Sequence, residues 1–275
     1  MEIRHRFDTL LILADMQRNL SVLKRAKAAR KKTVGLRIEK WATPIGLLPL
    51  AIYANRLNLN VTYGRNATGV RSYLERIRFP EGTPNLKWAR SSSYLPITRL
   101  SPESDDETLT RYEELILKGI KKKEIRDSFR DALKYLTSEL VTNIKEHAHT
   151  DHYWILAQYW PKTETCQIAI ADAGIGYLES YRNTEYEVST NKEAITNAIN
   201  GNSSKNDVER GAGIPGLVKI FCEGYGGDII IMSGDSLLFL NNENNDFYEL
   251  DVPWDGAFVG IQFKLSVINA LAYLV

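Results

Sequence analysis

Cysteine is scarce in this chain. Cys166 and Cys222 are the only two among 275 residues and both lie in apolar neighbourhoods, so no disulfide framework is indicated and a reducing, cytoplasmic compartment is expected. Long apolar runs are missing too. The longest uncharged stretch, Trp41 to Asn55, falls short of the roughly 20 residues that cross a bilayer and reads as a buried helix. No apolar segment at the start resembles a signal peptide, so no membrane association is expected. Internal repeats are lacking, as are zinc-finger spacing and an RNA-binding aromatic motif. Of four histidines, His147, His149 and His152 lie close in sequence but do not share a helix face, and neither cysteine is near, which argues against zinc. What remains, 44% apolar and 25% charged, is the composition of a globular protein long enough for two modest domains.

Charge is balanced overall and divided along the chain. Residues 1–99 carry 19 Lys and Arg against 6 Asp and Glu, whereas the remainder carries 16 against 28. Such opposed halves either dock on each other or offer the front half to an anionic partner, and docking is the simpler reading. The densest basic run, Lys24-Arg-Ala-Lys-Ala-Ala-Arg-Lys-Lys32, suits the C-terminal end of a helix, whose dipole favours cations; a salt-dependent nucleic-acid patch is the alternative, not the favoured one.

Three segments of the rear part carry the chemistry. From Lys123 to Ala148, apolar Ile125, Phe129, Leu133, Leu136, Leu140 and Ile144 recur at steps of three and four, which predicts a long amphipathic helix. Glu139, Asn143 and His147 follow each other by four and share a stripe beside the apolar one. A carboxylate and an amide oxygen are the donors that Mg²⁺ accepts, and a carboxylate one turn away can take a proton from an attacking hydroxyl or water.

The second segment is a predicted buried strand, Gln167 to Ala171, running into Asp172-Ala-Gly174-Ile-Gly176. Glycines there permit close backbone approach, and the Asp can accept a hydrogen bond from an exocyclic amine such as that of adenine. The third is Gly211-Ala-Gly213-Ile-Pro215-Gly216 before a short helical pattern, Leu217 to Phe221. Backbone amides at a helix start favour an anion, and Pro215 is acceptable in a first turn.

In this order the three segments resemble the N, G1 and G2 boxes of the GHKL ATPases, the superfamily of DNA gyrase, mismatch-repair ATPases and sensor histidine kinases. Glu139-Leu-Val-Thr-Asn-Ile-Lys-Glu-His147 is similar to the corresponding helix of anti-sigma-factor serine kinases. The resemblance covers about Leu95 to the C-terminus and implies a Bergerat-type sandwich of helices over a mixed sheet. By it, ATP and Mg²⁺ are the cofactors, Glu139 is the base or water-orienting residue, Asn143 the metal ligand and Asp172 the adenine reader. His147 belongs to the nucleotide helix, Gly174 and Gly176 floor the purine, and Gly211 and Gly213 meet the phosphates. Residues 177–212, with a helical stretch from Lys192 to Ile199, resemble the ATP lid, in which Ser203, Ser204 and Lys205 are candidate phosphate contacts. The chain departs from the pattern in Gly211-Ala-Gly213-Ile-Pro215, where relatives have Gly-x-Gly-Leu-Gly, and in Gly260-Ile-Gln-Phe263, where relatives often have a Gly-Thr pair. Asn241 to Asp246 reads as a hairpin tip.

The front third reads as strand Phe7 to Leu13, helix Met16 to Arg30, strand Thr33 to Ile38, helix Gly46 to Leu57, strand Leu59 to Tyr63 and helix Val70 to Ile77. That alternation predicts an α/β unit, and Val34 to Phe79 resembles a STAS domain, although Thr43-Pro-Ile-Gly46 stands at the turn where relatives have Asp-Ser-Ser/Thr-Gly. Only Thr43 offers a hydroxyl there, and it is not assigned as a phosphosite. The expected class is therefore α/β (α+β), with a basic STAS-like domain over 1–94 and a GHKL domain over 95–275. An acidic connector, Ser101 to Glu107, is expected to supply an Asp cap to a helix over Glu107 to Lys118. The function implied is a Mg-ATP-dependent regulatory ATPase or serine/threonine kinase with a protein partner. A homodimer, or an ATP-gated switch gripping a protein or nucleic acid through the front half, is the alternative.

Overall fold

The computed structural model describes residues 2–38, 42–63, 68–88, 93–103, 105–182, 184–202 and 213–274. The chain opens with one unbroken helix, α1 (Glu2–Ala28), where a strand from Phe7 to Leu13 was expected. Buried Thr9, Ile12, Leu13, Met16, Leu20 and Leu23 explain the difference, because they continue a single three-and-four spacing that a short window, seeing only the apolar run Leu10 to Leu13, does not contain. The helix ends at Arg30, in the left-handed region, with the Lys31 amide donating back to Ala26.

Strands β1 (Thr33–Leu36) and β2 (Asn60–Tyr63) then pair in parallel, Val34 opposite Val61, across helix α2 (Pro44–Arg56), and α3 (Thr68–Arg76) follows. Helix α2 is apolar on nearly every side, with Ile45, Leu47, Leu48, Leu50, Ala51, Ile52 and Ala54 all buried. A helix of that kind needs neighbours all round. It finds α1 on one side and the main sheet on the other.

That sheet runs β3 (Thr98–Leu100), β4 (Tyr153–Trp160), β5 (Thr165–Asp172), β7 (Asn245–Lys264), β6 (Asp228–Leu240) in spatial order. Every pairing in it is antiparallel, where a mixed sheet was expected. Two hairpins fix two of the four pairings, β4 turning directly into β5 and β6 into β7 through the tip at residues 241–244, while β3–β4 and β5–β7 join strands that are distant in the chain. Between β5 and β6 the chain forms α6 (Gly176–Ser180), α7 (Asn191–Ile199) and α8 (Gly213–Val218).

Helices α4 (Asp106–Gly119) and α5 (Lys123–Asn143) precede β4 and cover one face of the sheet. Asp105 stands at the N-cap of α4, but its carboxylate accepts from the Ser101 amide at 2.7 Å and makes no cap bond to the helix. Alternate residues of the central strands divide between two cores. Ile155, Ile168, Ile170, Ile229, Ile231, Ile261 and Phe263 join the α4/α5 layer, while Leu156, Ala169, Ala171, Ile230, Met232 and Phe258 join α1 and α2. The result is three layers, with the front third covering the back of the sheet. Its attachment is mainly apolar, supplemented by an Arg56–Asp255 ion pair at 2.9 Å and by Gln17 Oε1 accepting from the Val252 amide at 3.4 Å. No described helix is long and apolar enough to cross a membrane.

Candidate functional site

Helix α5 buries Ile125, Phe129, Leu133, Leu136 and Leu140 against the sheet, as its spacing predicted. It does not stop cleanly. Ile144–Ala148 forms a π-helical turn, closed by His149 in the left-handed conformation. Such a turn is rare and frequent at functional sites. Glu139, Asn143 and His147 are all half-buried around this end. Burial raises the Glu139 carboxyl above its usual range, and the charge of Glu146 raises it further. Glu146 Oε2 in turn lies 3.9 Å from His147 Nε2. Glu146 was passed over in the sequence, although it lies seven residues from Glu139, two turns along one face.

Asp172, the last residue of β5, is 2% exposed. Its Oδ1 accepts from the Gly174 amide at 2.8 Å and its Oδ2 from the Ala257 amide at 3.3 Å. Loss of hydration outweighs both bonds and pushes its pKa up to about 6. Each oxygen retains acceptor capacity beyond those bonds.

The glycines around it are required by contact. A Cβ on Gly174 would overlap the backbone of Ala148, whose carbonyl accepts from the neighbouring Ile175 amide at 3.0 Å. The Asp172–Gly176 segment is thereby fastened to the end of the Glu139–Asn143–His147 helix. Gly176 has φ +74°, and a Cβ there would lie 2.6 Å from Ser233 Oγ. Gly256, at φ +97° inside β7, lies over Asp172, since a Cβ would come within 2.6 Å of its Oδ1. Ser233, buried at an irregularity in β6, accepts from the Tyr177 amide at 3.0 Å and donates to the Gly256 carbonyl at 2.9 Å. One hydroxyl therefore ties the start of α6 to the strand above Asp172.

Gly256, Ala257 and Ser233 were missed from sequence. The readable sign was Asp255-Gly256 within an otherwise strand-like run, since glycine inside a strand marks a bulge or a close approach. Attention fell instead on Gly260 to Phe263. Those residues pair with Cys166 to Ala169, well back along β5 from Asp172.

The third segment is helical earlier than expected. Helix α8 begins at Gly213, so Ile214 to Gly216 belong to its first turns, and a π-helical turn (Lys219–Gly224) continues it. Tyr135, one turn before Glu139, donates its hydroxyl to the Gly213 carbonyl at 3.1 Å and fills the space that a side chain on Gly216 would need. Gly174 thus meets the turn that follows Asn143, next to His147, and Gly213 meets Tyr135, four residues before Glu139. Ser203, Ser204, Lys205 and Gly211 lie outside the described residues. The helical stretch expected before them, Lys192 to Ile199, is α7, opened by a capping box of Thr190 and Glu193. Among the described residues, no three His, Cys, Asp or Glu side chains are grouped to hold a metal ion.

No family profile, curated protein or solved structure matches the chain.

Proposed function

We propose that the chain is a Mg-ATP-binding regulatory protein of histidine-kinase-like type, acting as an ATPase or as a serine/threonine kinase. One observation carries the reading: Asp172 is buried with spare acceptor capacity, beside a glycine segment locked to the same helix end that presents Glu139 and Asn143. A buried acceptor flanked by backbone is suited to the amine edge of a purine, which it can read without competition from water. Asn143 would offer its amide oxygen to a cation shared with the phosphates, since Mg²⁺ commonly takes one or two protein oxygens and completes its shell with phosphate and water. Glu139, its proton affinity raised by burial, is suited to accept a proton from the attacking hydroxyl or water. Gly174 and Gly176 would floor the base, and Gly211 and Gly213 would approach the phosphates.

A second reading, an ATP-gated conformational switch without transfer chemistry, has its own support. Strand β7 carries Gly256 over Asp172 and also packs against α1 and α2, so a shift at the nucleotide would be felt by the basic front layer and any partner bound there. Calorimetry with ATP, with and without Mg²⁺, tests the shared claim, and absence of binding in both defeats it. Incubation with γ-labelled ATP then separates the readings. Label transfer indicates a kinase, phosphate release an ATPase, and neither with intact binding indicates the switch.

A further inference from the structure

The outer surface of the α4/α5 pair holds a groove that the nucleotide reading does not use. Thr110, Glu113, Glu114, Leu117 and Lys118 line it from α4, and Arg126, Arg130 and Lys134 from α5. The three α5 cations follow at steps of four, so they form one stripe along the groove wall. Its floor includes Leu117, which is 7% exposed.

The charges in this groove are not balanced internally. Glu114 is held by Arg111 at 2.7 Å, and Arg130 by Asp127 at 3.2 Å. Glu113 is partly buried, accepts from the Thr137 hydroxyl and has its pKa raised by burial. Lys134 opposes that rise through its charge but makes no ion pair among the described residues. Lys118 and Arg126 likewise enter no ion pair among the described residues, and Arg126 is half-buried. Elsewhere the chain pairs Arg18 with Asp15, Arg56 with Asp255, Arg71 with Glu75 and Arg182 with Glu179, while Arg25, Arg30 and Arg99, which enter no ion pair among the described residues, are exposed to water as Arg126 is not. A half-buried guanidinium without a carboxylate, in a concave site beside two further unpaired ammonium groups, has its complement outside the molecule.

We propose that the α4/α5 groove docks an acidic segment of a partner protein, one in which carboxylates alternate with apolar side chains. The carboxylates would meet Lys118, Arg126 and Lys134, and an apolar side chain would rest on Leu117. Nucleic acid suits the groove less well, because Glu113 and Glu114 would oppose a continuous phosphate backbone, while separated carboxylates can avoid them. This site does not depend on ATP binding.

The test uses the full chain and a fluorescein-labelled peptide in which Glu-Asp pairs alternate with Leu, followed by anisotropy at low and moderate salt. The parent is expected to bind and to weaken as salt rises. Lys118→Gln/Arg126→Gln should lower affinity at least about tenfold, and Arg126→Glu/Lys134→Glu should lower it further. Lys24→Gln/Lys27→Gln, in the exposed basic run of α1, should leave it within about twofold. All changes are on the surface, and circular dichroism confirms that each variant is folded. Absence of parent binding at low salt overturns the proposal, as does equal loss in the groove and α1 variants. Preferential capture of labelled duplex DNA through Arg126 and Lys134 also overturns it, since the groove would then serve a different class of partner.

Discussion

The carbonyl of Ala148, at the end of the π-helical turn, occupies the space that a side chain on Gly174 would need. Gly174→Ala must therefore push the Asp172–Gly176 segment away from that turn. Overpacking of this kind costs about 1–3 kcal/mol and sometimes more. A lower thermal midpoint, together with weakened nucleotide binding, is the expected result. An unchanged midpoint would show that the contact yields easily.

Asp172 makes stability depend on pH in a definite direction. Its pKa is about 6 in the fold against 3.8 for the free side chain, so the folded state binds the proton more tightly than the unfolded one. Stability contributed by this group is present at low pH and is lost as pH rises from about 4 to about 6, at up to about 1.4 kcal/mol per pH unit. Asp172→Asn should remove that slope. Urea melts of parent and variant between those limits measure the difference, and parallel curves would contradict the assignment. Adenosine binding should follow the opposite trend, strengthening up to about pH 6 as the carboxylate forms; unlike ATP, adenosine has no phosphate titrating in this range.

Glu139 and Asn143 have separable roles in the proposed site. Glu139→Gln should reduce turnover by about 10²–10⁴ while leaving ATP affinity within a few-fold. Asn143→Ala should instead abolish the gain in ATP affinity that Mg²⁺ provides. Calorimetry at fixed ATP with varied Mg²⁺ distinguishes the two, and identical behaviour of the variants would refute the division of labour.

Tyr135 links α5 to α8 through Gly213. Removing its hydroxyl in Tyr135→Phe forfeits about 0.5–1.5 kcal/mol. The effect should fall on ligands with phosphates: ATP affinity drops and adenosine affinity stays, as measured by parallel titrations. A uniform loss for both would mean that Tyr135 only supports the core.

Ile45, fully buried on α2, meets the main sheet at Gly260, where a Cβ would come within 2.9 Å of it. Ile45→Ala should cost about 2–5 kcal/mol. Because α2 and the sheet share one core, denaturation should remain a single transition at a lower denaturant midpoint. A separate early transition of the front layer would show that the layers melt independently.

What could be read from residue order varied with how local the cause was. Helix α5 was legible because Ile125 to Ile144 keep one spacing over about five turns, and the end of β5 at Asp172 because a buried strand ran directly into glycines. The start of α1 reads differently from sequence, since Phe7 to Leu13 taken alone is a short run ending in four consecutive apolar residues, as a buried strand would be. Strand β4 was overlooked because both faces of Tyr153 to Trp160 are buried, leaving little contrast to detect. Sheet direction depends on which strands meet, a tertiary choice that no short window contains. The clamp of Ser233 and Gly256 over Asp172 was hidden for the same reason: its members are separated by 61 and 84 positions and meet only in the finished sheet.

The shared rear core also has a consequence for biosynthesis. Thr9 and Gln17 of the first helix find their partners at Asp228, Gln262 and Val252, in strands β6 and β7, which are synthesised 219 to 253 residues later. At about 5–20 residues per second, the apolar side of that helix waits on the order of ten seconds or more for its seat. The front portion of a nascent chain of this design is therefore expected to remain open to holdase chaperones until those strands have emerged.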